Sequence, residues 1–276
     1  SPVITIDRER CIACQRCTAY SERIEQEQGL VMLNRGFHNE VNTFNNEPYD
    51  SRFSGNVIDI CPVGALTNTD FRFKARTWDL SNQDTLCAHC GCNCNITLST
   101  RLNEFMRIEA RPNDAVDDGW ICDKGRWGHH FVGSKNRVTA ARENSVGATQ
   151  PTSFPNFPID APAEQAAEKV VETFKKIVDE HGPKSIGFIG SPYATNEENY
   201  LYQKMFRLLG TNNIDHKIYQ DTPGLPIDHY DIDQIENSNV VLLIASDPTE
   251  ELPILDLRLK KAVTGCGTRL ISLNDQ

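Results

Sequence analysis

The stretch Cys11-Ile12-Ala13-Cys14-Gln15-Arg16-Cys17 decides how the first part of the chain is read. Three cysteines at intervals of three, C-x2-C-x2-C, wrap backbone around a small inorganic cage. They aim three thiolates at three of its corners, the local half of a [4Fe–4S] site. A cubane takes a fourth protein ligand. Cys61, separated from Cys17 by 43 residues and directly before Pro62, supplies it. Where a Cys-Pro closely follows such a triplet, its sulfur serves a second cluster. Here the one Cys-Pro is remote, so Cys11, Cys14, Cys17 and Cys61 are assigned to one cage. Zinc is the competing occupant. Structural zinc sites usually pair two separate C-x2-C knuckles, which a triplet plus a remote Cys-Pro does not resemble.

A second group repeats the logic of three near ligands and one far. In Cys87-Ala-His-Cys90-Gly-Cys92-Asn-Cys94 the best quartet is Cys87, Cys90, Cys94 and Cys122, a C-x2-C-x3-C-x27-C pattern. Cys92 competes with Cys94. The x2-then-x3 spacing spreads ligands around a cage better than crowding two of them, so Cys94 is preferred. His89 reads as a hydrogen-bond donor or bystander beside the cluster, and His129-His130 as surface. Lys124, two residues after Cys122, either tunes the second cluster or is simply solvated. Cys266 stands alone and reads as a small buried hydrophobe.

The remaining composition agrees with a metal protein. Eight of the ten cysteines fall into these two groups, a clustering unlike a scattered disulfide framework. With 28 basic and 38 acidic residues the net charge is −10, which disfavours a nucleic-acid partner. No apolar run approaches the length of a membrane span. The chain of 276 residues starts at Ser1 inside a strand-like alternation, Val3-Ile4-Thr5-Ile6, and stops at Gln276 just past an apolar run. Both ends read as cuts in a longer polypeptide.

Along the chain, a short helix is expected from Thr18 to Gln26 and a strand from Gly29 to Gly36. Residues 38–50 read as an exposed loop. Strands are expected at Asn95–Thr100 and Glu104–Ala110, and a short helix or turn after Cys122. Residues 134–160, with three prolines, form a linker. Then helical periodicity takes over: Ala166, Val170, Phe174 and Ile177 fall on one face. Thr195-x-x-Glu198 is a capping box opening a helix that ends at Gly210. Apolar strands are expected at Ser185–Gly190, Asn239–Ala245 and Thr268–Leu273, with a helix opening at Pro253. Helices alternating with wholly apolar strands predict a parallel α/β sheet covered on both faces. The domain division is therefore 1–80, 81–135, a linker over 136–160, and a partial α/β domain over 161–276.

Arg8 to Cys17 together with Gly55-Asn-Val-Ile-Asp-Ile-Cys61-Pro-Val-Gly-Ala-Leu66 resembles the large iron–sulfur subunit of bacterial NADH–quinone oxidoreductase, respiratory complex I. The second quartet resembles an additional [4Fe–4S] cluster of some bacterial versions. Residues 185–276 are similar to the start of a molybdopterin-oxidoreductase domain, through Thr195-Asn-Glu-Glu-Asn-Tyr-Leu-Tyr-Gln-Lys, Gly210-Thr-Asn-Asn-Ile-Asp and Ser246-Asp-Pro-Thr-Glu-Glu-Leu-Pro. The resemblance implies an α+β ferredoxin-like domain, then a small β-rich [4Fe–4S] domain, then the start of the α/β domain. It implies two [4Fe–4S] clusters here, with a [2Fe–2S] and a further [4Fe–4S] in a preceding segment. It also implies a one-electron relay from NADH and flavin toward quinone, with no catalytic side chain in this chain. The implied partners are the flavin/NADH-binding subunit and the quinone-side cluster subunits, on the cytoplasmic side of the bacterial inner membrane. A molybdenum-dependent formate dehydrogenase shares the modules, and Cys122-x-Lys124-Gly125 suits it. That enzyme brings a Cys or selenocysteine to its metal, where this chain has Tyr219-Gln220-Asp221-Thr222. A zinc-loaded scaffold without redox work is the third reading.

Overall fold

The computed structural model describes residues 1–137, 163–191, 193–216 and 231–274. The chain opens with β1 (Ile4–Ile6) and, past the cysteine loop, α1 (Arg16–Tyr20), which runs on through one wide turn over Ser21–Glu25. A hairpin follows, β2 (Leu30–Leu33) against β3 (Glu40–Thr43). Then come α2 (Asn56–Ile60) and β4 (Leu66–Asn68). β5 (Ser81–Leu86), β6 (Asn95–Arg101) and β7 (Glu104–Ala110) make an antiparallel meander, and α3 (Asp123–Trp127) follows it. Next are α4 (Ala163–His181), β8 (Phe188–Ile189), α5 (Asn196–Leu208) and β9 (Ile214–Asp215). The last described elements are β10 (Val240–Ile244), α6 (Pro248–Glu251), α7 (Pro253–Lys261) and β11 (Arg269–Leu273).

These elements fall into two compact units, residues 1–134 with 228–276, and residues 135–227. In the first unit both cysteine groups share one core. Tyr20, Phe53 and Val57 continue through Ile121 to Ile96 and Ile108 of the meander, and Ile254 and Leu257 of α7 join them. In the second unit the aromatic rings do the packing. Phe206 is buried, stacks on Phe188 at 5.0 Å and meets Phe174 edge-on at 5.7 Å. The predicted capping box opens α5: Glu198 N–H donates to Thr195 Oγ1 (3.1 Å) and Thr195 N–H to Glu198 Oε2 (2.8 Å).

The α/β part is parallel as expected, with β8 beside β9 and β10 beside β11. Its strands are less covered than their apolar sequence predicts. Every residue of β11 is exposed, and three of five in β10. Ile254 and Leu257 of the neighbouring α7 pack into the core of the cysteine domains. The 38–50 segment also departs from expectation. It carries β3, and Val41 and Tyr49 are buried there. The linker prolines and Tyr219–Thr222 lie outside the described residues.

Candidate metal centres

The first site is built by pairing β1 with β4. Ile6 sits opposite Leu66, and Asp7 N–H donates to the Ala65 carbonyl at 2.8 Å. The chain leaving β1 and the chain entering β4 therefore run side by side, so Cys11 and Cys61 approach from opposite sequence directions. Between Cys11 and Cys17 the backbone must curl tightly, and Ala13 (φ 51°) and Gln15 (φ 62°) both adopt the left-handed conformation. Cys11, Cys14, Cys17 and Cys61 line one cavity, whose other walls include Ile6, Val41, Ala65 and Leu66. Cys17 is buried, Cys11 and Cys61 are half-buried and Cys14 is exposed. Leu66 N–H points at Cys61 Sγ over 3.5 Å. Burial pushes the Cys17 thiol up to about 11, with Cys11 and Cys14 adding repulsion. Thiolates gathered in an apolar pocket need a positive core to hold their charge, and an iron–sulfur cage supplies one.

The second site is a knot of strand ends and one helix start. Cys87 N–H donates to the Cys94 carbonyl (2.9 Å), closing the loop that carries Cys90 and Cys92 between β5 and β6. Cys122 caps α3, its Sγ accepting from Gly125 N–H at 3.3 Å. Gly125 sits at a close approach, since a Cβ there would lie 3.0 Å from Ile121 and 3.4 Å from Cys87 Sγ. Cys87, Cys94 and Cys122 are each no more than 4% exposed, and Cys90 is half-buried. Cys94 is held up by burial and then by the charges of Cys87, Cys122 and Cys90, so the four thiols sense one another. Cys122 is raised to about 11, again chiefly by burial.

Cys92 is buried against Cys90. Its thiol pulls Cys90 down to about 6, while Cys92 itself is held up. Lys124 is exposed, yet its charge reaches Cys87 and Cys90 and favours their thiolates. His89 packs its ring over Gly128 and meets Phe131 edge-on, a packing role beside the site. His130 is exposed, as expected, and pairs with Asp70 at 3.0 Å, whereas His129 is half-buried. Cys266 is exposed, not buried, because it ends the wide turn after α7.

What the sequence did not announce is the buried polar lattice joining the two sites. Asn56, between Cys17 and Cys61, donates through Nδ2 to Tyr20 Oη (2.9 Å) and to the carbonyls of Phe53 (3.0 Å) and Ile121 (2.9 Å), and its Oδ1 accepts from Ile121 N–H (3.2 Å). Arg126 forks onto Asp59 at 2.5 and 3.1 Å. Asp123 accepts from Ser54 Oγ (2.6 Å) and Gly55 N–H (2.8 Å). Asp117 accepts from the N–H groups of Asn95, Asn113 and Gly119, ordering the turn before Cys122. Only its position near a Gly in a polar turn hinted at that role.

Among the described residues, no three His, Cys, Asp or Glu side chains gather tightly enough to hold one metal ion.

Three family models match in sequence order: the ferredoxin-like domain of NADH-quinone oxidoreductase subunit 3 over residues 1–67, the molybdopterin oxidoreductase Fe4S4 domain over 81–134, and the molybdopterin oxidoreductase domain over 164–276. NADH-quinone oxidoreductase subunit 3 of Thermus thermophilus is 35% identical over 95% of this chain and 32% of its own length. A second NADH-quinone oxidoreductase chain, from Rhizobium meliloti, is 31% identical over 99% of this chain and 32% of its own length. The alpha subunit of an NADPH-Fe(3+) oxidoreductase of Geobacter sulfurreducens is 27% identical over 98% of this chain and 32% of its own length. The chain thus spans about a third of the length of these curated relatives. With all three domain matches in order, and with the Thermus and Rhizobium proteins aligned to it almost end to end, the chain belongs to the large iron–sulfur subunit family of NADH-quinone oxidoreductases, that of subunit 3.

Proposed function

We propose that the chain is the electron-relay portion of an NADH–quinone oxidoreductase subunit, holding two [4Fe–4S] clusters. Cys11, Cys14, Cys17 and Cys61 would hold the first, and Cys87, Cys90, Cys94 and Cys122 the second. The observation that carries this reading is the single cavity shared by the first quartet. Residues separated by as many as 50 positions converge there on apolar walls. The clusters would supply one-electron storage. The protein's own contribution is to fix their positions, exclude water and aim backbone N–H groups at sulfur. The N–H groups of Leu66 toward Cys61 and of Gly125 toward Cys122 are of that kind. Such contacts stabilise the extra negative charge of a reduced cage and so raise its potential.

The division of labour follows the same lines. Residues 1–80 and 81–135 each carry one cluster. Residues 161–276 are the opening of a scaffold domain without metal chemistry of its own, and 136–160 link the two. Electrons would enter from a partner subunit that oxidises NADH at flavin and leave through quinone-side cluster subunits. The assembly would be peripheral to the cytoplasmic face of the membrane. No helix among the described residues is long and apolar enough to cross a membrane.

One observation favours a second reading. Two of the three matched family models are those of molybdopterin oxidoreductases. A formate dehydrogenase catalytic subunit would use the second cluster to serve a molybdenum centre. The deciding experiment is metal analysis and electron paramagnetic resonance of the native complex. About eight irons per chain and two reducible cubane signals, with no molybdenum or tungsten, are expected. Stoichiometric molybdenum with formate-dependent NAD reduction would replace the relay reading. A colourless, zinc-loaded protein would reject both.

A further inference from the structure

Between the two cysteine domains, and apart from both quartets, lies a cavity of about 280 Å³. Its charged lining is unbalanced. Arg10, Arg72, Arg107 and Arg126 face it, against only Asp59 and Glu109. Arg126 is satisfied by its fork on Asp59, and Arg107 reaches Glu109 at 2.9 Å. Arg10 and Arg72 share one carboxylate just outside, Asp7, at 3.1 and 3.8 Å. Four guanidiniums are thus met by three carboxylates. The least well served is Arg72.

Unmet donors point the same way. The Nε–H groups of Arg72 and Arg107 are buried and have no hydrogen-bond partner. A buried donor left unpaired is costly, so such groups are rare unless a ligand completes them. The Nε of Arg126 is also unpaired but is turned onto Gly55, away from this question. Both relevant guanidiniums are held in place by rings. Arg107 lies over Phe71 at 4.8 Å and Arg72 over Phe73 at 4.7 Å. Phe73 takes the left-handed conformation, φ 66°, an outlier for a bulky side chain, in the turn that presents Arg72. Planar forks fixed by stacking suit an oxyanion with two or more oxygens.

We propose that this cavity binds a small oxyanion, a phosphate or a short dicarboxylate, between Arg72 of the first cysteine domain and Arg107 of the second. The anion neutralises the surplus guanidinium and ties the two domains together. Nothing in this proposal requires the clusters to be of one kind or the other.

Titration calorimetry of the whole 276-residue chain with inorganic phosphate, at ionic strength held constant with sodium chloride, tests it. One saturable site per chain is expected, with a melting temperature that rises with phosphate. R72Q and R107Q should each weaken binding about tenfold or more, the loss of one charge-assisted contact. R72K, which keeps the charge but not the fork, should fall between, and covers the case of an R72Q protein that does not fold. K74Q, two residues along the chain and exposed, should bind as the parent does. Succinate in place of phosphate reports whether the site prefers a carboxylate, and Arg72-dependent binding of either anion supports the proposal. Absence of saturable heat from both anions, or equal affinity in parent and R72Q or R72K, overturns it.

Discussion

The two cysteine sites differ most in how they meet solvent. In the first, Cys14 is exposed and Cys11 and Cys61 are half-buried. In the second, three of four sulfurs are buried and a fifth thiol, Cys92, is buried beside them. The difference follows from construction. The first quartet hangs on a loop and a strand entry at the edge of the unit. The second is tied into the meander and the start of α3. Solvent reaches the first site at Cys14, whereas the second is largely enclosed by its own fold. A buried, solvent-poor cage also has a lower potential than a wetter one of the same net charge, other things being equal.

The largest expected effect tests that each quartet is a separate unit. Cys61→Ala removes the one proposed ligand that comes from outside the first loop. Loss of about half the iron is expected, with one of the two cubane signals gone and the other intact. Cys122→Ala should do the same to the second site. If either variant abolished both signals, the independence of the sites would be refuted. Metal analysis and low-temperature spectra of the reduced protein read the outcome.

Next comes the lattice between them. Arg126 is 2% exposed and its partner Asp59 is partly open to water. Arg126→Ala removes a buried fork and leaves Asn56 and the Ile108 carbonyl short of a donor. A loss of about 3 kcal/mol in unfolding free energy is expected. The second site should suffer more than the first, because Arg126 sits four residues after Cys122 and its backbone N–H bonds the Cys122 carbonyl. Denaturant titration gives the magnitude, and iron retention at each site tests the asymmetry.

How much of this was legible follows from what each feature depends on. Ligand spacing is local, so the two quartets could be read directly. The capping box at Thr195 is equally local and stands as read. β6 and β7 showed through their alternation. β5 did not, because Ser-Asn-Gln-Asp-Thr-Leu is polar on both faces and is held to Asn95–Thr100 by its backbone and by the polar pairs Thr97–Asp84 and Ser99–Asn82. β3 was hidden in a polar stretch, and of its own four residues only Val41 is buried. α2 read as a lead-in to Cys61, since five residues are too few to show a helical period. The Asn56, Asp59 and Arg126 contacts join residues about 65–70 positions apart, beyond any pattern a single sequence displays.

A smaller effect sets the first domain apart by its pH response. Glu25 is fully buried, with Tyr49 Oη donating to its Oε1 at 2.6 Å and its Oε2 unpaired. Ser21 and Ser51 also face it, Glu27 adds repulsion, and Lys260 donates to the Glu25 carbonyl while its charge is paired with Asp256. Burial pushes the carboxyl up to about 7. The folded state therefore holds a proton that the unfolded chain releases near pH 4.5. Stability from this group is full below about 4.5 and falls as pH rises to about 7. The total is of order 3 kcal/mol. Glu25→Gln should flatten that slope and raise stability at pH 8. An unchanged slope in denaturant titrations at pH 5 and 8 would contradict the assignment.

The smallest expected effect decides which thiols make the second quartet. Cys92 lies closer to Cys90 in sequence than Cys94 does, and both are buried. Cys94 is held up chiefly by burial and then by the charges of Cys87, Cys122 and Cys90, the other three members of the proposed quartet. Cys92 is held up first by its hydrogen bond with Cys90 and then by burial, with weaker repulsion from Cys94. The proposed quartet accordingly leaves Cys92 outside, beside Cys90. Cys92→Ser should keep all the iron and cost about 1 kcal/mol or less in stability. Cys94→Ser should lose the second cluster. The reverse pattern would exchange the two residues and would mean that the loop between β5 and β6 grips its cage with sulfurs two apart.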